Sequence, residues 1–91
     1  MITDTINEMR ISRGWDKTDT PAILAKSIVI EAAELLECFQ WDDDNFDLAA
    51  VKGELADVLM YTICMCLDLG LDYEKIIVEK FEDVKKRYPE I

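Results

Sequence analysis

Four acidic side chains stand in strongly apolar surroundings. Glu31 and Glu34 fall in IEAAELL, Glu54 and Asp57 in GELADVL. Each pair is spaced i, i+3, which sets its two carboxylates on one side of a helix. A carboxylate among Leu, Val and Ile is costly to bury unless something pairs with it. Two such pairs on two helices point to a shared compensating cation. Oxygen donors of this kind suit Mg²⁺, with Mn²⁺ as a substitute. Carboxylates projecting from facing helices can build such a centre in a bundle core. A metal ion there can bridge phosphate oxygens, offset developing charge and lower the pKa of a bound water. A carboxylate not fully used as a ligand could orient or deprotonate that water.

Long helices must position these groups. With 3 Gly and 2 Pro in 91 residues, breaks are few, and 51% hydrophobic residues are ample for a core. The pattern predicts four helices in one domain, residues 1–91. The first covers roughly Asp4 to Ser12, with Ile6 and Met9 facing inward. A linker runs from Arg13 to Asp19. Thr20 as N-cap and Pro21 at the first helical position open the second helix, which extends to about Gln40. Trp41 to Asn45 is a polar turn. Asn45 or Asp47 caps the third helix, which stops at Gly70 after Leu69. Asp72 caps the fourth, which ends before Pro89. Short linkers imply antiparallel neighbours.

At about 100° per residue, Leu24, Ile28, Leu35 and Phe39 share a broad apolar face of the second helix. Glu31 borders that face, Glu34 lies to its other side, and Glu37 is more peripheral. On the third helix Val51, Val58, Met65 and Leu69 form the apolar face, and Glu54 and Asp57 sit at its edge. Tyr61 falls between those two acids in angle, one turn onward. Asp68 shares their stripe about 16 Å further along the axis. If the two helices pack antiparallel, the four carboxylates converge.

Bulk composition excludes several functions. The net charge is −10, from 20 acidic and 10 basic residues, so a basic nucleic-acid footprint is not expected. A polyanionic substrate would be repelled too, unless a divalent metal intervenes. The absence of His removes His-based zinc sites and Ser-His-Asp triads. Cys38, Cys64 and Cys66 form no CxxC and read as small core residues in a reducing cytoplasm. No apolar leader is evident at the N-terminus, so no signal peptide is expected. The longest apolar run, Val58 to Leu67, is about half a membrane span. A chain this small buries a limited fraction of its surface alone, which favours oligomerisation.

Spacing by itself is weak evidence. Glu79 and Glu82 are also i, i+3, but stand among Lys75, Lys80, Lys85 and Lys86, a solvated face with helix ion pairs. The two apolar-flanked pairs could likewise be edge acids touching water or a neighbouring lysine. A non-catalytic helical module that dimerises through the second and third helices remains open, as does a nucleotide sensor with slow turnover.

Glu31-x-x-Glu34, 19 residues, then Glu54-x-x-Asp57 resembles the ExxE…ExxD motif of MazG-like nucleoside triphosphate pyrophosphohydrolases. RGWDK before the second helix, ELLECFQW around its end, ELADVLMY in the third and EKFEDVKKRYP at the C-terminus resemble the dCTP-pyrophosphatase branch. The similarity runs from about Arg13 to Pro89. It implies an all-α MazG-like four-helix bundle, assembled as a dimer or tetramer, with pockets completed by more than one subunit. It implies a Mg²⁺ site at Glu31, Glu34, Glu54 and Asp57, and hydrolysis of a nucleoside triphosphate to monophosphate and pyrophosphate. By the same resemblance Trp15 and Trp41 are pocket aromatics, Tyr61 and Lys80 contact the triphosphate, and Lys17 of RGWDK belongs to the substrate site. Read without it, the tryptophans cover helix ends, Lys80 is a solvated lysine and Tyr61 a core residue with a wet hydroxyl. Two positions depart from the branch: Asp19 stands where a His is found, and Val84 where an Asn contacts the base. Both fall on base or sugar contacts, so the chemistry is better marked than the base.

Overall fold

The structure is a computed structural model that describes residues 1–91, and every regular element in it is a helix. They are α1 (Ile2–Ser12), α2 (Trp15–Thr18), α3 (Pro21–Glu37), α4 (Leu48–Leu69) and α5 (Tyr73–Arg87). Capping fixes most of the ends. The Thr20 hydroxyl accepts from the Ile23 N–H, with Pro21 next to it at the first helical position. Asp47, rather than Asn45, caps α4 through Ala49 N–H. Asp72 accepts from the N–H groups of Glu74 and Lys75 at the start of α5. Gly70 ends α4 at φ 68°, the left-handed conformation that closes a helix at little cost only for glycine. Gly70→Ala should therefore lower stability by about 1–2 kcal/mol, read from a denaturant midpoint at unchanged slope.

The expectation of four helices is corrected to five. Residues 15–18, read from sequence as linker, close one helical turn. Gly14 at φ 72° starts it, and the Asp19 N–H reaches the Trp15 carbonyl at 2.8 Å. A single turn is too short to display a hydrophobic period, which is why pattern reading misses it. α3 also stops earlier than Gln40. Beyond Glu37 the backbone tightens into i→i−3 bonds, from Cys38, Phe39 and Gln40 to Leu35, Leu36 and Glu37. Phe39 then packs on Phe46 with ring centroids 4.8 Å apart, which closes the 38–47 loop.

α3 and α4 form the principal packing pair; α1 lies on α2 and α4, and α5 makes little contact with the rest. Glu31 on α3 meets Glu54 and Asp57 on α4. Ser27, one turn earlier on α3, shares a cavity with Tyr61 and Cys64, one and two turns later on α4. The two helices therefore run antiparallel. The protomer is open. Only Ile6, Arg10, Leu24 and Cys66 are fully buried. Its accessible surface of 7241 Å² exceeds the roughly 5,400 Å² of a compact 10.5 kDa monomer. Its radius of gyration of 15.8 Å exceeds the roughly 12 Å expected at this length. No helix is long and apolar enough to cross a membrane.

Candidate active site

The antiparallel α3–α4 pair brings one carboxylate from α3 and two from α4 together. Ligand-type oxygens of Glu31, Glu54 and Asp57 all lie within 4.8 Å of one another. All three side chains are half-buried. Glu31 and Glu54 each hold one oxygen, Oε2, shut off from solvent and without a hydrogen-bond partner. A buried acceptor in that state carries a desolvation cost that a cation or proton would relieve. Glu34 falls outside this trio of oxygens, yet it is near enough to act on both glutamates.

The electrostatics follow from that crowding. The Glu31 carboxyl is pushed up to about 7, first by desolvation, then by the hydrogen bond and charge of Glu34 and the charge of Asp57. The Glu54 pKa is raised for similar reasons, desolvation leading and Glu34 following. Burial also raises the Tyr61 hydroxyl, reinforced by the negative charges of Glu31, Asp57 and Asp19. Like charges at this range favour a bound proton or a bound cation at Glu31 and Glu54.

A cavity of about 380 Å³ opens beside the cluster, with Glu31, Asp57, Tyr61 and Trp15 in its wall. The other residues expected at a substrate site do not reach it. Lys17 is exposed on α2. Trp41 is 91% exposed in the 38–47 loop. Lys80 lies on α5, where it pairs with Asp83 at 3.3 Å. Three residues in the wall, Arg10, Ser27 and Met60, are not singled out by the sequence reading, and the charged one is Arg10 of α1. Its signal was available, since Arg10 stands four residues after the inward-facing Ile6 and shares its stripe. A charge on an apolar stripe of an N-terminal helix is easily passed over when the acids elsewhere draw the eye.

Two antiparallel helices that gather carboxylates at the mouth of a cavity define an all-α protein with an acidic centre of metal-ligand type. The chain belongs to the MazG-like family, which it matches over residues 26–91. It is 30% identical to dCTP pyrophosphatase 1 of Mus musculus, with 90% of this chain and 54% of that protein aligned. The human dCTP pyrophosphatase 1 gives the same 30% identity and the same coverage. The chain thus spans about half the length of the curated relatives it matches. Among solved structures, a pyrophosphatase from Archaeoglobus fulgidus superposes with a TM-score of 0.86 at 36% identity, covering 98% of this chain and 90% of that one.

Proposed function

We propose that this chain hydrolyses a (deoxy)nucleoside triphosphate to the monophosphate and pyrophosphate with Mg²⁺ at the acidic centre, in cytoplasmic nucleotide-pool maintenance. The observation that carries the reading is the convergence of Glu31, Glu54 and Asp57 beside a cavity of nucleotide size. The names of the dCTP pyrophosphatases and of the archaeal pyrophosphatase support the reaction class.

The donor set fits a hard divalent cation: every group is a carboxylate, and two of the oxygens have no other partner. Glu31, Glu54 and Asp57 would hold it, with Glu34 beside them. When bound, such an ion offsets phosphate charge and acidifies a coordinated water. Glu34 takes the proton of the water that attacks the α-phosphorus. A bond forms from the water oxygen to phosphorus, and the bond to the pyrophosphate oxygen breaks. The Tyr61 hydroxyl, held protonated, donates to a phosphate oxygen, and Trp15 offers its ring face to the base. The test is a panel of canonical and modified nucleotides with Mg²⁺, scored by pyrophosphate release. A folded sample inactive on the whole panel overturns the reading.

Assembly belongs to the same proposal. α5 carries Tyr73, Ile76, Ile77, Phe81 and Val84 along one stripe, with Lys80 in its midst, and has little to pack against in its own protomer. A homo-dimer or tetramer would cover that stripe and carry Lys80 toward a neighbouring site, with Trp41 as a further candidate for such delivery. The free cysteines suit a reducing compartment.

The pKa of Glu31 gives a pH signature. The unfolded carboxyl releases its proton near 4.5, whereas the folded, metal-free one holds it to about 7. Over that window the native state binds more protons, so metal-free stability falls as pH rises through it and levels off above. Metal binding expels the proton, so the Mg²⁺-induced rise in Tm should grow across the same window. Thermal melts at about pH 5.5 and 8, with and without Mg²⁺, check both slopes.

A further inference from the structure

Arg10 is 3% exposed, and the fork of its guanidinium is not offered to a ligand. Nε and Nη2 are shut off from solvent and have no hydrogen-bond partner. What the guanidinium meets is α4. Nη1 donates to the Cys64 carbonyl at a long 3.4 Å, and Nη2 stands 3.7 Å from Asp68 Oδ1. As a source of stability this is a poor arrangement. A buried charge with idle donors and one distant partner recovers little of its desolvation, and a well-packed apolar side chain would hold the two helices together as firmly. What an apolar side chain would not do is choose a position. Ile6, the other buried residue of α1, makes contact without direction. The planar fork of Arg10 is aimed at two points one turn apart on α4, and so fixes where along α4 the helix lies.

That register matters because of what α1 carries. α2 packs on α1 and makes no comparable contact with α3 or α4. Apart from Asp19 and Thr20, which lead into α3, α1 is what holds α2 in place. The joint between them is tight. The Gly14 N–H donates to the Ile11 carbonyl at 3.1 Å, and the Lys17 N–H to the Gly14 carbonyl at 3.2 Å. The Arg13 guanidinium lies 5.7 Å from the centre of the Trp15 ring. A shift of α1 along α4 is therefore carried to Trp15, which stands in the cavity wall.

We propose that Arg10, paired with Asp68, is a positioning residue: it sets the register of α1 on α4 and so holds Trp15 where the base of the nucleotide binds. This rests on the nucleotide reading of the site and adds to it a residue that acts on the substrate only through Trp15.

The experiment makes Arg10→Met and Asp68→Asn alone, together, and each on a Trp15→Leu background. KM and kcat are measured on dATP, dCTP, dGTP and dTTP with Mg²⁺, with thermal melts to identify folded variants. Stacking of a base on an aromatic ring is worth roughly 5- to 150-fold in binding, which is the ceiling for either substitution. Each should raise KM within that range and leave kcat little changed. The two together should do no more than one alone, and on the Trp15→Leu background neither should add anything. Asp68→Asn keeps the shape of a side chain that is 21% exposed, and serves if Arg10→Met does not fold. Trp41→Phe leaves Trp15 as the only tryptophan, and acrylamide should quench it more strongly once Arg10→Met is added. An unchanged KM in a folded variant, a loss confined to kcat, or an effect that adds in full to that of Trp15→Leu overturns the proposal and leaves the hydrolysis reading standing. If wild type turns over none of the triphosphates, the hydrolysis reading falls and quenching judges Arg10 by itself: a rise upholds its hold on Trp15, and no change overturns it.

Discussion

Asp57→Asn is expected to lower pyrophosphate release by about 10²-fold or more while the metal-free protein melts no lower than wild type. The first half follows from the donor set. Groups that merely orient metal ligands are each worth roughly 10- to 100-fold, and a ligand should be worth more. Asn keeps the shape of Asp57 and its place on α4, but removes one of the charges gathered within 4.8 Å. The second half follows from the repulsion that, after desolvation, helps to raise Glu31 and Glu54. In the absence of metal, the cluster opposes itself, and taking away one charge relieves its neighbours. Activity and metal-free stability should thus move in opposite directions, the usual relation at a strained functional site. The Mg²⁺-dependent rise in Tm should shrink in the variant. Glu79→Gln, on the exposed side of α5, is the control that should change neither quantity. A variant that retains full turnover removes Asp57 from the proposed ligand set. One that melts far lower without metal shows that the carboxylate has a structural role.

Most of the helical frame was legible because its ends carry side-chain signals. Thr20-Pro21, Asp47, Gly70 and Asp72 each satisfy or terminate a helix by a local hydrogen bond or a left-handed turn that needs no tertiary context. What escaped was set by geometry of shorter range than the pattern: the single turn of α2 and the i→i−3 tightening after Glu37. The site was legible in the same partial way. Angular position placed Glu31, Glu34, Glu54 and Asp57 at the edges of the two apolar faces; the oxygens of Glu31, Glu54 and Asp57 lie within 4.8 Å of one another, and Glu34 stands outside that trio. Angular position also put Asp68 a long way down the same stripe from Asp57, where the structure pairs it with Arg10. Arg10 was legible only as a charge on the Ile6 stripe; its pairing was not, because an ion pair between residues 58 positions apart leaves no trace in local periodicity. Trp41 and Lys80 differ again. Their sequence context marks them, but a single protomer leaves Trp41 91% exposed and gives Lys80 only its helix neighbour Asp83.

That last point makes Phe81→Asp the other substitution with a large expected effect. Phe81 is 58% exposed on α5, in line with Ile77 at 49% and Ile76 at 37%. An amphipathic helix derives most of its stability from packing its apolar face, and a 15-residue helix is marginal in water without that. α5 contributes little packing to its own protomer. A second copy is the natural cover, and the protomer's excess surface is of the size that obligate interfaces bury. In an interface with twofold symmetry each substitution counts twice. Truncating a buried Phe costs about 3–5 kcal/mol per copy, and a buried Asp should cost no less. The loss for a dimer is then roughly 6–10 kcal/mol, a weakening of about 10⁴-fold or more in the dissociation constant. Sedimentation of wild type should show a dimer or tetramer at micromolar concentration, and of Phe81→Asp a monomer. Turnover should fall with it if Lys80 or Trp41 completes a neighbour's site. Lys80→Ala, expected to leave the assembly intact, separates the two effects. If it lowers turnover in an unaltered oligomer, Lys80 acts on the substrate; if it changes nothing, α5 contributes assembly alone. A wild-type protein that sediments as a monomer would remove the reason for the exposed stripe and, with it, the composite site.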